Sequence, residues 1–253
     1  MTSSLSWVPT PTFLYRNYLY EKIVSKIKNN KKYLLMGVGT GYFIKKLENL
    51  GFKGEAIDIS KEAIRITKNI VDNKKTNVHF GNILKYKSAR KFDLVFSFEV
   101  LEHIKDDQLA INNVYKLLTD NGTFIFSVPA HMSKWGKMDV LGGHFRRYER
   151  NEIIKKLRIA GFEIKRIWTF GFPILNAIQF ISRTGFFTKN DLNVSKTNKT
   201  KKSGIRLDYD PKFRFLLSNH FLLMPLFKLL DLFVTTDRGL GYIVVAKKTP
   251  TRK

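Results

Sequence analysis

Three glycines alternate with other residues in Gly37-Val38-Gly39-Thr40-Gly41, and Asp58 follows 17 residues after the last of them. Glycine lets a backbone approach a ligand closely and take φ angles that a Cβ forbids. An apolar run (Leu34-Leu35-Met36) precedes the loop, and a predicted helix separates it from the carboxylate. That order describes the first half of a nucleotide-binding α/β unit. Dinucleotide sites prefer G-x-G-x-x-G, and Tyr42 occupies the third glycine position here. The tighter G-x-G-x-G spacing points to an adenosine ligand with no pyrophosphate and argues against hydride transfer.

A second group is Glu99, Glu102 and His103. A helical turn starting at Glu99 would put all three on one face. His144, in a loop further along, makes two carboxylates and two imidazoles. That donor set suits Mg²⁺, Mn²⁺, Fe²⁺ or Zn²⁺. The competing reading has no metal, with His103 capping or orienting the loop.

These residues need elements to hold them. Apolar spacing predicts a helix over Phe13–Ile27, and strands and helices then alternate. Strands are expected at Tyr33–Gly37, Gly54–Ile59, Asn77–Phe80, Phe92–Phe98, Thr123–Val128, Phe162–Phe170 and Tyr242–Ala246. Helices are expected at Tyr42–Leu50, Ser60–Val71, Asp106–Leu118 (ended by Asp120-Asn121-Gly122) and Asn151–Ala160. Such alternation means a largely parallel sheet with helices on both faces. Gly171–Leu240 interrupts the pattern. It holds the apolar segments Phe172–Phe187 and Phe213–Val234 around the polar stretch Lys189–Gly204, which reads as flexible. The apolar segments form a packed cap or an interfacial pair of helices on a membrane.

The chain has 253 residues and no cysteine, which excludes disulfides, zinc-thiolate sites and cysteine nucleophiles. Its formal net charge of +24 implies an anionic partner: nucleic acid, a phospholipid surface or a phosphorylated acceptor. The lysines are scattered, so a solvated lysine-rich surface is the competing explanation. No basic-then-apolar signal pattern opens the chain, and a cytoplasmic protein is expected.

Taken together, the motifs resemble those of the class I methyltransferases that use S-adenosylmethionine (SAM). The resemblance covers Tyr33 to Phe170 and the closing strand near Tyr242. Its most specific part is Phe92-Asp93-Leu94-Val95-Phe96-Ser97-Phe98-Glu99-Val100-Leu101-Glu102-His103. It implies a Rossmann-like seven-stranded sheet, mostly parallel with the last strand antiparallel, helices on both faces and a helical insertion before the last strand. The implied division is an N-terminal arm and helix (1–32), a SAM-binding core (33–170), a helical insertion with a flexible basic loop (171–240) and a closing strand with a basic tail (241–253).

The resemblance assigns cofactor contacts to Gly37, Gly39, Gly41, Asp58, Ile59, Asn82 and Glu99. Asp58 would accept both ribose hydroxyls, Ile59 would lie on the adenine, and Asn82 stands where the family usually has Asp. A further departure is Leu35, where the family usually has an acid two residues before the first glycine. The loop Trp135-Gly136-Lys137-Met138-Asp139 through Gly142-Gly143-His144-Phe145-Arg146-Arg147-Tyr148 looks like that of a branch modifying glycans or lipid-linked small molecules. Trp135, Arg146, Arg147 and Tyr148 are the expected acceptor contacts, the arginines gripping an acidic or phosphorylated group. The competing reading pairs Arg147 with a nearby acid and packs Tyr148.

E-x-x-E-H with a loop histidine also resembles the metal-dependent quinone-pathway O-methyltransferases and the small-RNA 3′-terminal 2′-O-methyltransferases. Methyl transfer from a sulfonium is an in-line displacement governed by positioning. For a hydroxyl acceptor, His103 or His144 would take the proton, or a metal would lower its pKa. Oxygen is favoured because no Asn-Pro-Pro-Tyr-like motif follows the fourth strand. The expected partner is a small-molecule, lipid-linked or glycan acceptor, with peripheral membrane contact through 171–240. The alternatives are RNA 2′-O-methylation, and a non-catalytic SAM-fold module at a membrane or partner.

Overall fold

The computed structural model describes residues 10–181 and 220–249. Its strands are β1 (Lys32–Met36), β2 (Lys53–Asp58), β3 (Thr76–Phe80), β4 (Phe92–Phe98), β5 (Leu118–Pro129), β6 (Phe162–Phe170) and β7 (Gly241–Lys248). They form one sheet in the order β3-β2-β1-β4-β5-β7-β6. The first five run parallel, and β7 is antiparallel to both neighbours. The sheet expected from the sequence is the sheet observed. The helices are α1 (Pro11–Val24), α2 (Tyr42–Asn49), α3 (Lys61–Lys68), α4 (Asp107–Leu117), α5 (Lys137–Gly142), α6 (Arg150–Ile159), α7 (Ile174–Ile181) and α8 (His220–Asp231).

Strands covered by helices on both faces must be apolar on both. Tyr33, Leu34, Leu35 and Met36 of β1 are all buried. Alternate residues feed two cores. Tyr33, Leu35 and Phe96 pack with α1, α2 and α8, whereas Leu34, Met36 and Val95 pack with α4 and α6. Side-chain caps start three of the helices. Thr10 Oγ1 accepts from Phe13 N (3.0 Å), Ser60 Oγ from Ala63 N (3.3 Å) and Asp106 Oδ1 from Leu109 N (3.0 Å). Each such cap contributes about 1 kcal/mol.

Several boundaries differ from expectation. The first helix is shifted toward the N-terminus, because Thr10 caps it and Pro11 suits a first turn. The helix after Ser60 stops at Lys68. Asp120-Asn121-Gly122 does not end α4. That helix stops at Leu117, since Leu118 already pairs with Phe92, and the triplet lies inside β5 where the register shifts. Helix α5 and the 3-10 turns Leu101–His103 and Met132–Lys134 were not among the predicted elements.

Of the insertion, α7 and α8 are described; Lys189–Gly204 lies outside the described residues, as does the N-terminal arm before Thr10. Helix α8 packs on α1. Phe227 is fully buried against Tyr15 and Tyr18, and Asp231 accepts from Tyr15 Oη (3.2 Å), Tyr18 Oη (2.8 Å) and Lys22 Nζ (2.6 Å). No helix among the described residues is long and apolar enough to cross a membrane.

Candidate active site

The carboxyl ends of β1, β2 and β4 lie side by side, with the chain order reversing between β1 and β4. Open α/β sheets bind ligands at such a switch point. The glycine loop leaves β1 here with φ of +80° at Gly37, +53° at Gly39 and +76° at Gly41. All three angles are left-handed, so the alternation is a conformational requirement. At Gly37 a Cβ would also sit 2.5 Å from Val100 Cγ2, so the loop lies directly against the exit of β4. At Gly39 a Cβ would meet nothing within 4 Å.

Asp58 ends β2 beneath this loop. Its Oδ2 accepts from Val38 N (2.8 Å) and its Oδ1 from Ser60 N (2.7 Å). Burial pushes its carboxyl above the usual range, and backbone N–H groups of Ser60, Val38, Gly39 and Ile59 partly oppose this. The carboxylate is thus held against the backbone of the glycine loop and of the β2 exit. Ile59 beside it is half-buried. Asn82 is exposed in the turn after β3, where its Oδ1 accepts from Leu84 N (3.0 Å). Its side-chain oxygen is thus already engaged within the turn.

Glu99 departs from the expected geometry. No helical turn begins there: its φ is +56° and the 3-10 turn starts at Leu101. Its carboxylate is directed to α1, pairing with Arg16 (2.8 Å) and accepting from Ser127 Oγ (2.7 Å), which in turn bonds Tyr20 Oη (2.6 Å). Glu99 therefore drops out of the predicted four-residue donor set. Leu35, at the position of the missing acid, is an ordinary core residue. Arg16 was not singled out in the sequence, because its helix was read for apolar spacing alone. It brings a cation to the end of β4, where it pairs with Glu99.

The remaining three donors do converge. Ligand atoms of Glu102, His103 and His144 lie within 4.8 Å of one another. The imidazole rings stand nearly perpendicular with centroids 4.6 Å apart. Phe145 N donates to Glu102 O (2.8 Å), fastening the loop after β5 to the turn after β4. Glu102 is fully buried, and neither of its carboxylate oxygens has a hydrogen-bond partner. Burial, then the charge of Glu99, pushes its carboxyl well up. Burial, then His144, lowers His103 to about 3. The 3.9 Å Glu102–His103 approach thus joins two groups that both favour their neutral forms.

The expected acceptor contacts need correction. Arg147 is buried: its Nε donates to Asp139 Oδ1 (2.8 Å) and its Nη1 to Ala130 O (3.2 Å). Tyr148 is buried and donates to Asp107 Oδ2 (2.8 Å). Arg146 spends its guanidinium on Asp107 Oδ1 (3.0 Å) and Lys105 O (2.6 Å). These side chains build the loop and leave no arginine fork for an acceptor. Trp135 is half-buried between the Met132–Lys134 turn and α5. Asp139 was missed as a site residue, although its spacing of five before His144 was visible.

Fold and site thus define an α/β protein that holds a nucleoside cofactor at the carboxyl ends of its strands. Residues 14–167 match a methyltransferase-domain family. The chain belongs to the class I SAM-dependent methyltransferases. The ubiquinone biosynthesis O-methyltransferase of Coxiella burnetii is 30% identical over 114 residues, 44% of this chain and 47% of that protein. The enzyme of that name from Rickettsia canadensis is 25% identical over 59% of this chain and 71% of its own length. The matched part thus spans about half the length of the Coxiella relative. Among solved structures, an S-adenosylmethionine-dependent methyltransferase from Mesorhizobium loti superposes with a TM-score of 0.56 at 14% identity, covering 90% of this chain and 97% of the other. The N-methyltransferase NodS from Bradyrhizobium japonicum, solved with S-adenosylhomocysteine (SAH), gives 0.52 at 22% identity over 64% and 81%. These likenesses carry the fold and, with the family, SAM as the cofactor.

Proposed function

We propose that this enzyme transfers the SAM methyl group to a hydroxyl oxygen of an amphipathic acceptor, a lipid-linked or glycan-linked small molecule. The observation that carries this reading is the Glu102–His103–His144 cluster beside the glycine loop. Asp58 holds the ribose, and the glycine loop passes under the methionine portion. An in-line displacement then needs an oxygen lone pair freed of its proton. A general base works best with a pKa near the working pH. His103, lowered to about 3, is too weak a base. His144 therefore takes the proton at Nε2, and His103 packs against its ring. Relatives named for oxygen methylation support the choice of oxygen.

The same three residues also fit a divalent ion, because Glu102 offers two buried oxygens with no partner. Glu102, His103 and His144 would hold it, and a bound ion would supply a lowered pKa for the acceptor hydroxyl.

An amphipathic acceptor is favoured by the rim of the site. Met132, Met138, Val140 and Phe145 of the loop after β5 are exposed. Ile178 and Phe180 of α7, Leu229 of α8 and Leu232 just after it are exposed as well. Pro129 of β5 and Phe170 of β6 both register with Gly241 of β7, so these segments emerge at the end of the sheet that carries the site. Exposed Lys137, Lys228 and Arg238 accompany them, which suits an anionic lipid surface. In contrast, Lys32, Lys53, Lys74, Arg90 and Lys91 line a groove at the opposite end of the strands, remote from the chemistry. That placement favours a lipid-linked acceptor over RNA.

The test is incubation of lipid and metabolite extracts with isotope-labelled SAM, followed by mass spectrometry. A labelled methyl ether in the lipid fraction is expected, with incorporation nearly abolished in His144→Ala while SAM affinity is kept. Labelling confined to a total-RNA sample incubated in parallel, or full activity in His144→Ala, refutes the reading. Undiminished labelling after chelation removes the metal.

A further inference from the structure

We propose that Asp139 is a positioning residue for methyl transfer: its carboxylate fixes the tautomer and heading of His144, so that Nε2 carries the lone pair. The inference rests on the role of His144 proposed above.

Asp139 is almost fully buried. Its Oδ1 lies 2.9 Å from His144 Nδ1 and accepts from Arg147 Nε (2.8 Å), and its Oδ2 accepts from Gly136 N (2.8 Å). The main chain repeats the tie, with His144 N donating to Asp139 O at 2.9 Å. The buried Arg147 guanidinium donating to Oδ1 and the Gly136 N–H donating to Oδ2 keep this group a carboxylate. A carboxylate that carries no proton can only accept. The nitrogen it faces must therefore bear hydrogen, and in neutral His144 this leaves Nε2 as the acceptor.

Two further contacts fix the ring. Arg147 anchors Asp139 to the end of β5 through Ala130 O (3.2 Å), so the carboxylate hangs from the sheet and not from the loop alone. A Cβ at Gly142 would lie 2.9 Å from His144 Nε2 and 3.1 Å from Cδ2. The bare glycine makes room for that ring edge. A carboxylate behind an imidazole also stabilises the imidazolium formed when Nε2 takes a proton, which is the logic of a catalytic triad. If the imidazole ligates an ion, the same bond orients the ligand.

The competing explanation is that Asp139 merely neutralises buried Arg147. Two-bond ¹H–¹⁵N correlation of the histidine rings separates them, using the full chain with and without SAH. In the wild type His144 is expected as the Nδ1–H tautomer, at least tenfold over the other. Asp139→Asn offers an amide that can also donate to Nδ1, and should bring the two tautomers within tenfold of each other or invert them. Asp139→Glu should restore the Nδ1–H form at least in part. A wild-type His144 already in the Nε2–H form overturns the proposal without any variant. So does an unchanged tautomer in a folded Asp139→Asn protein. If that variant does not fold, the wild-type tautomer decides. Failure of the base assignment reads out separately. His144→Ala with wild-type methyl incorporation into the lipid extract removes the base, while the ring spectra still report whether Asp139 sets the tautomer.

Discussion

Gly39→Ala separates the cost of a side chain to the fold from its cost to the ligand. At Gly39 φ is +53° and an added Cβ meets no atom within 4 Å. The structural penalty is therefore the left-handed backbone alone, about 1 kcal/mol for a non-glycine residue. For a chain of this size that corresponds to a fall in melting temperature of about 2–4 °C. The ligand, by contrast, must cross the space above the loop, and a methyl group there excludes it. SAH affinity is expected to fall at least tenfold, about 1.4 kcal/mol. Gly37→Ala is the control for the opposite case. Its Cβ overlaps Val100 Cγ2 at 2.5 Å, with φ at +80°, so it should lose more stability than Gly39→Ala. Thermal denaturation and SAH calorimetry on both variants supply the numbers. A folded Gly39→Ala protein that binds SAH as tightly as the wild type refutes the placement of the cofactor over this loop.

Asp58→Ala should weaken SAH binding at least tenfold by calorimetry, because it removes the ribose acceptor and frees Val38 N and Ser60 N; unchanged affinity rules out the ribose role. His103 links the site to pH. Its folded-state pKa of about 3 lies below the unfolded value of about 6.5. The unfolded chain thus binds the extra proton first, and stability falls as pH drops below about 6.5 toward 3. One proton over the interval to pH 5 amounts to about 2 kcal/mol. Glu102, raised by burial, works in the opposite sense: it favours the fold at low pH and disfavours it as pH rises through its folded pKa. Comparison of His103→Gln with wild type isolates the histidine, and the variant should lose about 2 kcal/mol less between pH 7 and 5 in urea titrations. Parallel curves would show that His103 is not held neutral.

What the sequence made legible follows from which interactions are local. The glycine loop and Asp58 could be read because three left-handed φ values admit little besides glycine, and the strand–loop–helix order sets where the carboxylate falls. Phe92–Phe98 and Phe162–Phe170 were read to the residue, since their ends are marked by charged and glycine positions. Glu99 was misread because spacings of three and four presuppose a helix, and a single residue at +56° turned its side chain toward α1. Nothing near Arg16 in sequence announces an ion pair with a residue 83 positions away. Helix α5 has only six residues, too short for periodicity to register.

The basic loop motif shows how a charge pattern acquires meaning only from its partners. In His144-Phe145-Arg146-Arg147-Tyr148, the polar side chains alternate between two buried aspartates. Arg146 and Tyr148 go to Asp107, which Lys156 also reaches at 2.9 Å. His144 and Arg147 go to Asp139. Loss of one partner from such a buried pair costs about 3–5 kcal/mol, so Arg146, Arg147 and Tyr148 are committed to architecture. The large apolar side chains that the loop exposes are Met132, Met138, Val140 and Phe145, with Ser133 and Lys137 exposed among them. On the proposed function, recognition at this rim draws on that apolar surface, and an acceptor with an apolar portion is expected to bind better than one without. The same assignment explains why His144 can be presented from a loop with the precision of a strand residue: its ring is tied through Asp139 and Arg147 to Ala130, at the end of β5.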